Sequence, residues 1–140
     1  MRRFLRIIFF CVIPLQILSI LLGEELRIAT YNLDNYLVAD RYVDGRWRPS
    51  YPKPESEKTI IRQIIKEVSP DVLVLQEMGS VAFLEELRAD MASEGTHYDH
   101  FVHMEGADKN RYLAVLSKLA PKAVLKHKDL NFKYFEGREV

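Results

Sequence analysis

Val72–Leu75 reads Val-Leu-Val-Leu, and this run constrains the fold more than any other stretch of the chain. A strand with one wet face alternates apolar and polar side chains. This one does not, so both its faces must be covered, as in the parallel sheets of α/β domains. An amphipathic helix pattern precedes it over Glu55–Val68, where Ile60, Ile64 and Val68 share a face with Ile61 and Ile65. Ser69-Pro70 ends that helix, because the residue before a proline avoids the α region. Upstream, Leu26–Asn32 alternates with a β-branched bias and reads as a strand. Strand, helix, strand predicts a parallel pair joined by a right-handed crossover.

The remaining segments extend the layered pattern. Leu33–Pro54 carries Gly45, Pro49, Pro52 and Pro54 and is expected to be a long loop, a kind of segment that is usually functional or mobile. Ser80 is placed as the N-cap of a second helix, with Phe83, Leu84, Leu87 and Met91 as its apolar stripe and Gly95 as its stop. Short strands are predicted at Tyr98–Met104, Tyr112–Ser117, Lys122–Lys126 and Phe132–Phe135. The order points to an α/β layered domain.

Asn32 ends the first strand and Glu77 lies two residues past Leu75 at the end of the second. In parallel neighbours the carboxyl ends open on one edge, where α/β sheets place their ligands. A carboxylate beside a carboxamide offers hard oxygen donors suited to Mg²⁺ or Mn²⁺. Taken without further context, the simpler reading is that Asn32 is a turn residue and Glu77 a charge at a helix entry.

Three segments add that context. Thr30–Leu33 (TYNL), Pro70–Glu77 (PDVLVLQE) and Arg111–Lys118 (RYLAVLSK) resemble, in order and spacing, motifs of the endonuclease/exonuclease/phosphatase family. The resemblance covers most of Leu26–Pro121. It implies a two-sheet α/β sandwich flanked by helices, of which this chain would be the N-terminal half, apparently truncated. It implies Asn32 and Glu77 as catalytic and metal-site residues, the Glu binding the metal directly and the Asn positioning metal and phosphate. It also implies an enzyme: a divalent-metal-dependent phosphoesterase cleaving phosphodiesters in a nuclease-like way, with Mg²⁺, or alternatively Mn²⁺, as cofactor. The alternatives are a lipid or inositol phosphate phosphoesterase on the same scaffold and a catalytically dead secreted binding module.

The family's Asp-x-Asn and its closing Asp-His pair are not found in the chain, so the fragment by itself is expected to be poorly folded and inactive, with Leu113, Val115 and Leu73 exposed. Asp99-His100 has the right letters, but it sits in a strand pattern, and His97 and His103 read as strand or surface histidines. Arg111 precedes a strand near the ligand edge; it reads as a phosphate contact or, more simply, a solvated charge. Trp47, Arg46 and Arg48 are placed to touch a substrate from the long loop, or to form a mobile surface. Tyr31 and Tyr36 read as packing residues.

The N-terminus reads separately. Arg2, Arg3 and Arg6 precede a sixteen-residue apolar run, Ile7–Leu22, and small Gly23 follows. That is the order of a secretory signal, slightly short for a spanning helix and carrying Pro14. Residues 1–23 are therefore expected to be a signal peptide or membrane anchor, with 7–22 as the possible tether, and residues 24–140 a partial domain in an extracytoplasmic location, secreted, periplasmic or at the cell surface. The zero net charge hides an asymmetry: beyond residue 23, 17 basic side chains stand against 20 acidic, a balance of −3. A mildly acidic body argues against an electrostatic grip on long nucleic acid but not against a phosphate ester held through a cation. Cys11, the single cysteine, lies in the apolar run, so no disulfide or cysteine zinc site forms within the body.

Overall fold

The computed structural model describes residues 25–127, 133–135 and 138–139; the signal or anchor expected over residues 1–23 lies outside them. The elements run β1 (Ile28–Tyr36), β2 (Ala39–Val43), β3 (Arg46–Tyr51), α1 (Glu55–Val68), β4 (Val72–Met78), α2 (Val81–Ser93), β5 (His100–Met104), β6 (Tyr112–Ser117), β7 (Lys133–Phe135) and β8 (Arg138–Glu139). β1, β4, β6 and β5 form a four-stranded sheet in that order; β2 with β3 and β7 with β8 form separate two-stranded sheets. As expected, β1 and β4 are parallel, in register from Ile28↔Val72 to Asn32↔Gln76. β6 is antiparallel to both its neighbours.

One face of the sheet carries the core. Leu73 and Leu75 of β4 and Ala114 and Leu116 of β6 cluster with Ile61 and Ile65 of α1 and with Leu84, Leu87 and Met91 of α2. The α2 stripe lies where its sequence pattern predicts. In α1 the buried face is Lys58, Ile61, Arg62 and Ile65, whereas Ile60, Ile64 and Val68 remain exposed. The α1 face is thus rotated from the purely apolar one, because two long cations at 58 and 62 bury their stems and pair with carboxylates of α2 and of Glu94, which caps its C-terminus. Leu73 belongs to this core at 1% exposure, correcting the expectation that it would be uncovered. Alternation sends Val72, Val74, Leu113 and Val115 to the opposite face. There Leu113 is exposed, and the segment from Pro121 to Lys126 lies along the sheet, bounding a shallow apolar groove.

Two further expectations are corrected. Leu33–Pro54 is not a loop: β1 continues to Tyr36, and β2 and β3 form an antiparallel hairpin turning at Asp44-Gly45. Both turn residues have positive φ (53° and 75°), the pairing of a two-residue type I′ turn. Pro49 is accommodated because the ladder shifts register between Arg41 and Ala39, leaving its missing N–H unneeded. Lys122–Lys126 is not a strand. The segment lies along a face of the sheet, against Val102, Met104 and Leu113, rather than beside an edge strand. Of the strand predicted at Phe132–Phe135, Lys133–Phe135 forms β7, and Phe132 lies outside the described residues.

Candidate active site

The two strand ends foreseen as a ligand edge do meet. Asn32 Nδ2 donates to Glu77 Oε1 at 3.0 Å, and the Asn35 backbone N–H donates to Glu77 Oε2, also at 3.0 Å. Asn32 Oδ1 accepts the Asp34 N–H at 2.9 Å. The contact arises from a bulge. After Asn32↔Gln76 the next paired rung is Tyr36↔Met78, so Leu33, Asp34 and Asn35 together oppose Glu77. Asp34 (φ 48°), Asn35 (φ 60°) and Glu77 (φ 57°) all adopt the left-handed conformation. Aspartate and asparagine tolerate it, whereas a glutamate there is unusual and is held by its surroundings.

Cations clamp the bend from three sides. Lys53, almost wholly buried, donates from Nζ to the Asp34 carbonyl at 2.8 Å and pairs with Glu57 at 2.8 Å. Arg41 of β2 donates from Nη2 to the carbonyls of Asn35 and Leu37, the latter at 2.9 Å. Arg111 donates from Nε to Asn35 Oδ1 at 2.7 Å. At the back, Gly79 lets β4 close on β1: its N–H donates to the Tyr36 carbonyl at 2.9 Å, and a Cβ there would stand 2.9 Å from that oxygen and 2.9 Å from Leu37 Cβ.

Sequence reasoning passed over Asp34, Asn35, Lys53 and Arg41. Asp34 was within its reach, since alternation puts residues 32 and 34 on one face of a strand. The other three act through the bulge, which no local pattern announces. Arg111 sits at the site but touches Asn35 and Asp108. Trp47 and Tyr42 are directly opposed on the hairpin at 62% and 71% exposure, with Arg46 one rung away. His100 is removed from the edge: it pairs through Ser117 to Val72, at the opposite end of β4 from Glu77, about 16 Å away at 3.3 Å per residue. His103 bonds the Gly79 carbonyl at 2.9 Å and stacks edge-on with Tyr112, and His97 lies exposed before β5. Tyr31 packs against the core and Tyr36 lies in it; burial, with Glu86 and Asp90 nearby, pushes the Tyr36 hydroxyl up.

The donor set suits a hard cation. Each Glu77 oxygen accepts one N–H and keeps further lone-pair capacity, as does Asn32 Oδ1, and the Asp34 carboxylate, which accepts from Asn35 Nδ2 at 3.2 Å, is 85% exposed. Among the described residues no three His, Cys, Asp or Glu side chains gather at one point. A Mg²⁺ here would take most of its ligands from water and substrate oxygens, which is its usual habit.

A mixed sheet backed by two helices, with an amide and a carboxylate meeting at the carboxyl ends of its parallel pair, defines a layered α/β domain with a hard-oxygen edge. The model of the Endonuclease/Exonuclease/phosphatase family matches residues 29–140, and the chain belongs to that family. No curated protein and no solved structure matches it.

Proposed function

We propose that the chain carries the metal-binding edge of a divalent-cation-dependent phosphodiesterase with nuclease-like chemistry. The single observation that carries this reading is the 3.0 Å contact between Asn32 and Glu77 at the carboxyl ends of adjacent parallel strands. Glu77 would bind Mg²⁺ or Mn²⁺, with Asn32 orienting that carboxylate and presenting its own oxygen. When bound, the cation would polarise the phosphoryl oxygen and neutralise charge developing on phosphorus. The residues themselves fix the geometry. Asn32 and the Asn35 N–H hold both carboxylate oxygens, so little reorganisation is left for the moment of binding.

A nucleic-acid phosphodiester is favoured over a lipid or inositol phosphate by the hairpin. The Tyr42–Trp47 pair offers an exposed aromatic platform on one face of the hairpin, and Arg41, on the other face, ties its root to the site. Bases stack on such platforms irrespective of sequence. The residues 1–23 signal would place the domain outside the cytoplasm, secreted or tethered through residues 7–22.

The test is Mn²⁺ binding by the full chain, followed by its turnover of bis(p-nitrophenyl) phosphate with and without Mg²⁺. Mn²⁺ binding that Glu77→Ala abolishes, with hydrolysis lost in the same variant, is the expected result. A Glu77→Ala protein that keeps full affinity and rate removes Glu77 from the metal site.

A further inference from the structure

Asn35 is the most fully committed polar residue at the candidate site. Its N–H holds Glu77 Oε2 at 3.0 Å, its carbonyl accepts from Arg41, its Oδ1 accepts Arg111 Nε at 2.7 Å, and its Nδ2 donates to Asp34 Oδ1 at 3.2 Å. It does all this at φ 60°, facing a glutamate at φ 57°. Such conformations persist only where the surroundings over-determine them. Arg111 is itself fixed by Asp108, whose Oδ2 accepts from Nη1 at 3.3 Å and whose Oδ1 accepts the Arg111 N–H at 3.1 Å. Hydrogen bonds from the backbone of Asn110 and Arg111 hold the Asp108 carboxyl below the usual range, so it stays charged against the guanidinium.

These contacts form one line, from Asp108 through Arg111 and Asn35 to the Glu77 carboxylate, and join the approach to β6 with the bulge of β1. We infer that Arg111 and Asn35 are positioning residues: they set the rotation of the Glu77 carboxylate through the Asn35 N–H, rather than touching substrate themselves. This inference rests on the metal reading of Glu77 for its purpose, but not for its geometry. Outer partners that orient a ligating group commonly matter to affinity by tenfold or more. A guanidinium merely solvated at a strand end would leave Glu77 unaffected. The link is specific because Nε reaches a side-chain oxygen, which a lysine cannot imitate while also holding Asp108.

Two readouts on the full chain separate this claim from the function it serves. The first needs no metal: the ¹⁵N–¹H resonance of the Asn35 amide, whose proton points at a carboxylate. Glu77→Gln and Arg111→Gln should both move it, whereas Lys118→Gln, which loses a pairing with Asp71 at the other end of β4, should not. The second is Mn²⁺ affinity by electron paramagnetic resonance. Arg111→Gln should weaken it about tenfold. Asn35→Gly, which keeps the N–H and eases φ while losing Oδ1, should do the same, and the double variant should be no weaker than either. Arg111→Lys serves where Arg111→Gln does not fold. An Asn35 amide indifferent to Arg111, additive losses, or an Mn²⁺ affinity unchanged in both single variants overturns the positioning role. A wild-type chain that binds no Mn²⁺, with the amide still coupled to Arg111, sinks the metal reading instead and leaves the Arg111–Asn35–Glu77 linkage standing.

Discussion

At the scale of single residues, Glu77 serves two opposed demands. Its carboxylate is held by Asn32 and Asn35, yet its backbone sits at φ 57°, where a residue with a Cβ is strained by about 1 kcal/mol or more. Two substitutions separate these demands. Glu77→Ala and Glu77→Gly both remove the carboxylate, and both should abolish cation binding. Only glycine relieves the backbone, so Glu77→Gly should unfold about 1 kcal/mol later than Glu77→Ala in urea. Equal stabilities would mean that the left-handed conformation is not present in solution. The sequence already placed residues 32 and 77 together, because a crossover between two strands fixes which ends meet. Asn35 and Arg111 were beyond it. Their roles depend on a three-against-one bulge, and bulges arise from pairing between segments 42 residues apart rather than from either segment's own pattern.

At the scale of elements, the β2–β3 hairpin shows how a local signal is overruled. Three prolines and a glycine between Leu33 and Pro54 favoured a loop, yet Asp44-Gly45 between Val43 and Arg46 is a strong hairpin signal, and it prevailed. If the hairpin serves a nucleic-acid substrate, Trp47→Ala and Tyr42→Ala should each raise KM for a single-stranded oligonucleotide about tenfold, leaving kcat and the KM for a base-free phosphodiester unchanged. A loss on both substrates alike would make the pair a structural support instead. α1 carries a different lesson. Its sequence shows five branched apolar residues, but the buried seam toward α2 is partly ionic: Arg62 pairs with Glu55, Asp90 and Glu94, and Lys58 with Glu86 beneath the Tyr36 ring. Helical periodicity identified the helix but could not choose between two adjacent faces, because long cations bury as readily as isoleucine when carboxylates wait across the seam. Arg62→Ala leaves three carboxylates of like charge around an emptied site. It should cost about 2 kcal/mol in chemical denaturation, with little change in cation binding.

At the scale of the whole molecule, the two faces of the sheet differ among the described residues. α1 and α2 pack on the first, while the second is met only by the Pro121–Lys126 segment, with Leu113 left exposed. With helices described on one face alone, the strands rely more heavily on polar ties at their ends. The tie farthest from the candidate site is Asp71. Its Oδ2 accepts the Arg27 N–H at 2.9 Å and its Oδ1 accepts Lys118 Nζ at 3.1 Å, while its backbone bonds Arg27 on one side and Lys118 on the other. One residue thus fastens β1, β4 and β6 together. The Arg27 N–H, and then the Lys118 ammonium, hold its carboxyl below the ordinary range, and Arg62 does the same for Glu94. Groups whose folded pKa is depressed bind fewer protons in the native state than in the unfolded chain at the same acid pH. Their stabilisation is therefore complete above about pH 4, the ordinary carboxylate value, and is lost as pH falls through the lower native values. Thermal unfolding between pH 6 and pH 2 should show a melting temperature that is flat at first and then falls below about pH 4. Asp71→Asn should lower the plateau and flatten the acid limb, since the amide keeps an acceptor for Arg27 but has no proton to gain. Added salt should weaken the effect only in part, because the larger contribution comes from a backbone N–H rather than from a screened ion pair. An acid limb as steep in Asp71→Asn as in the wild type would show that the strand ends are not where this sheet is held.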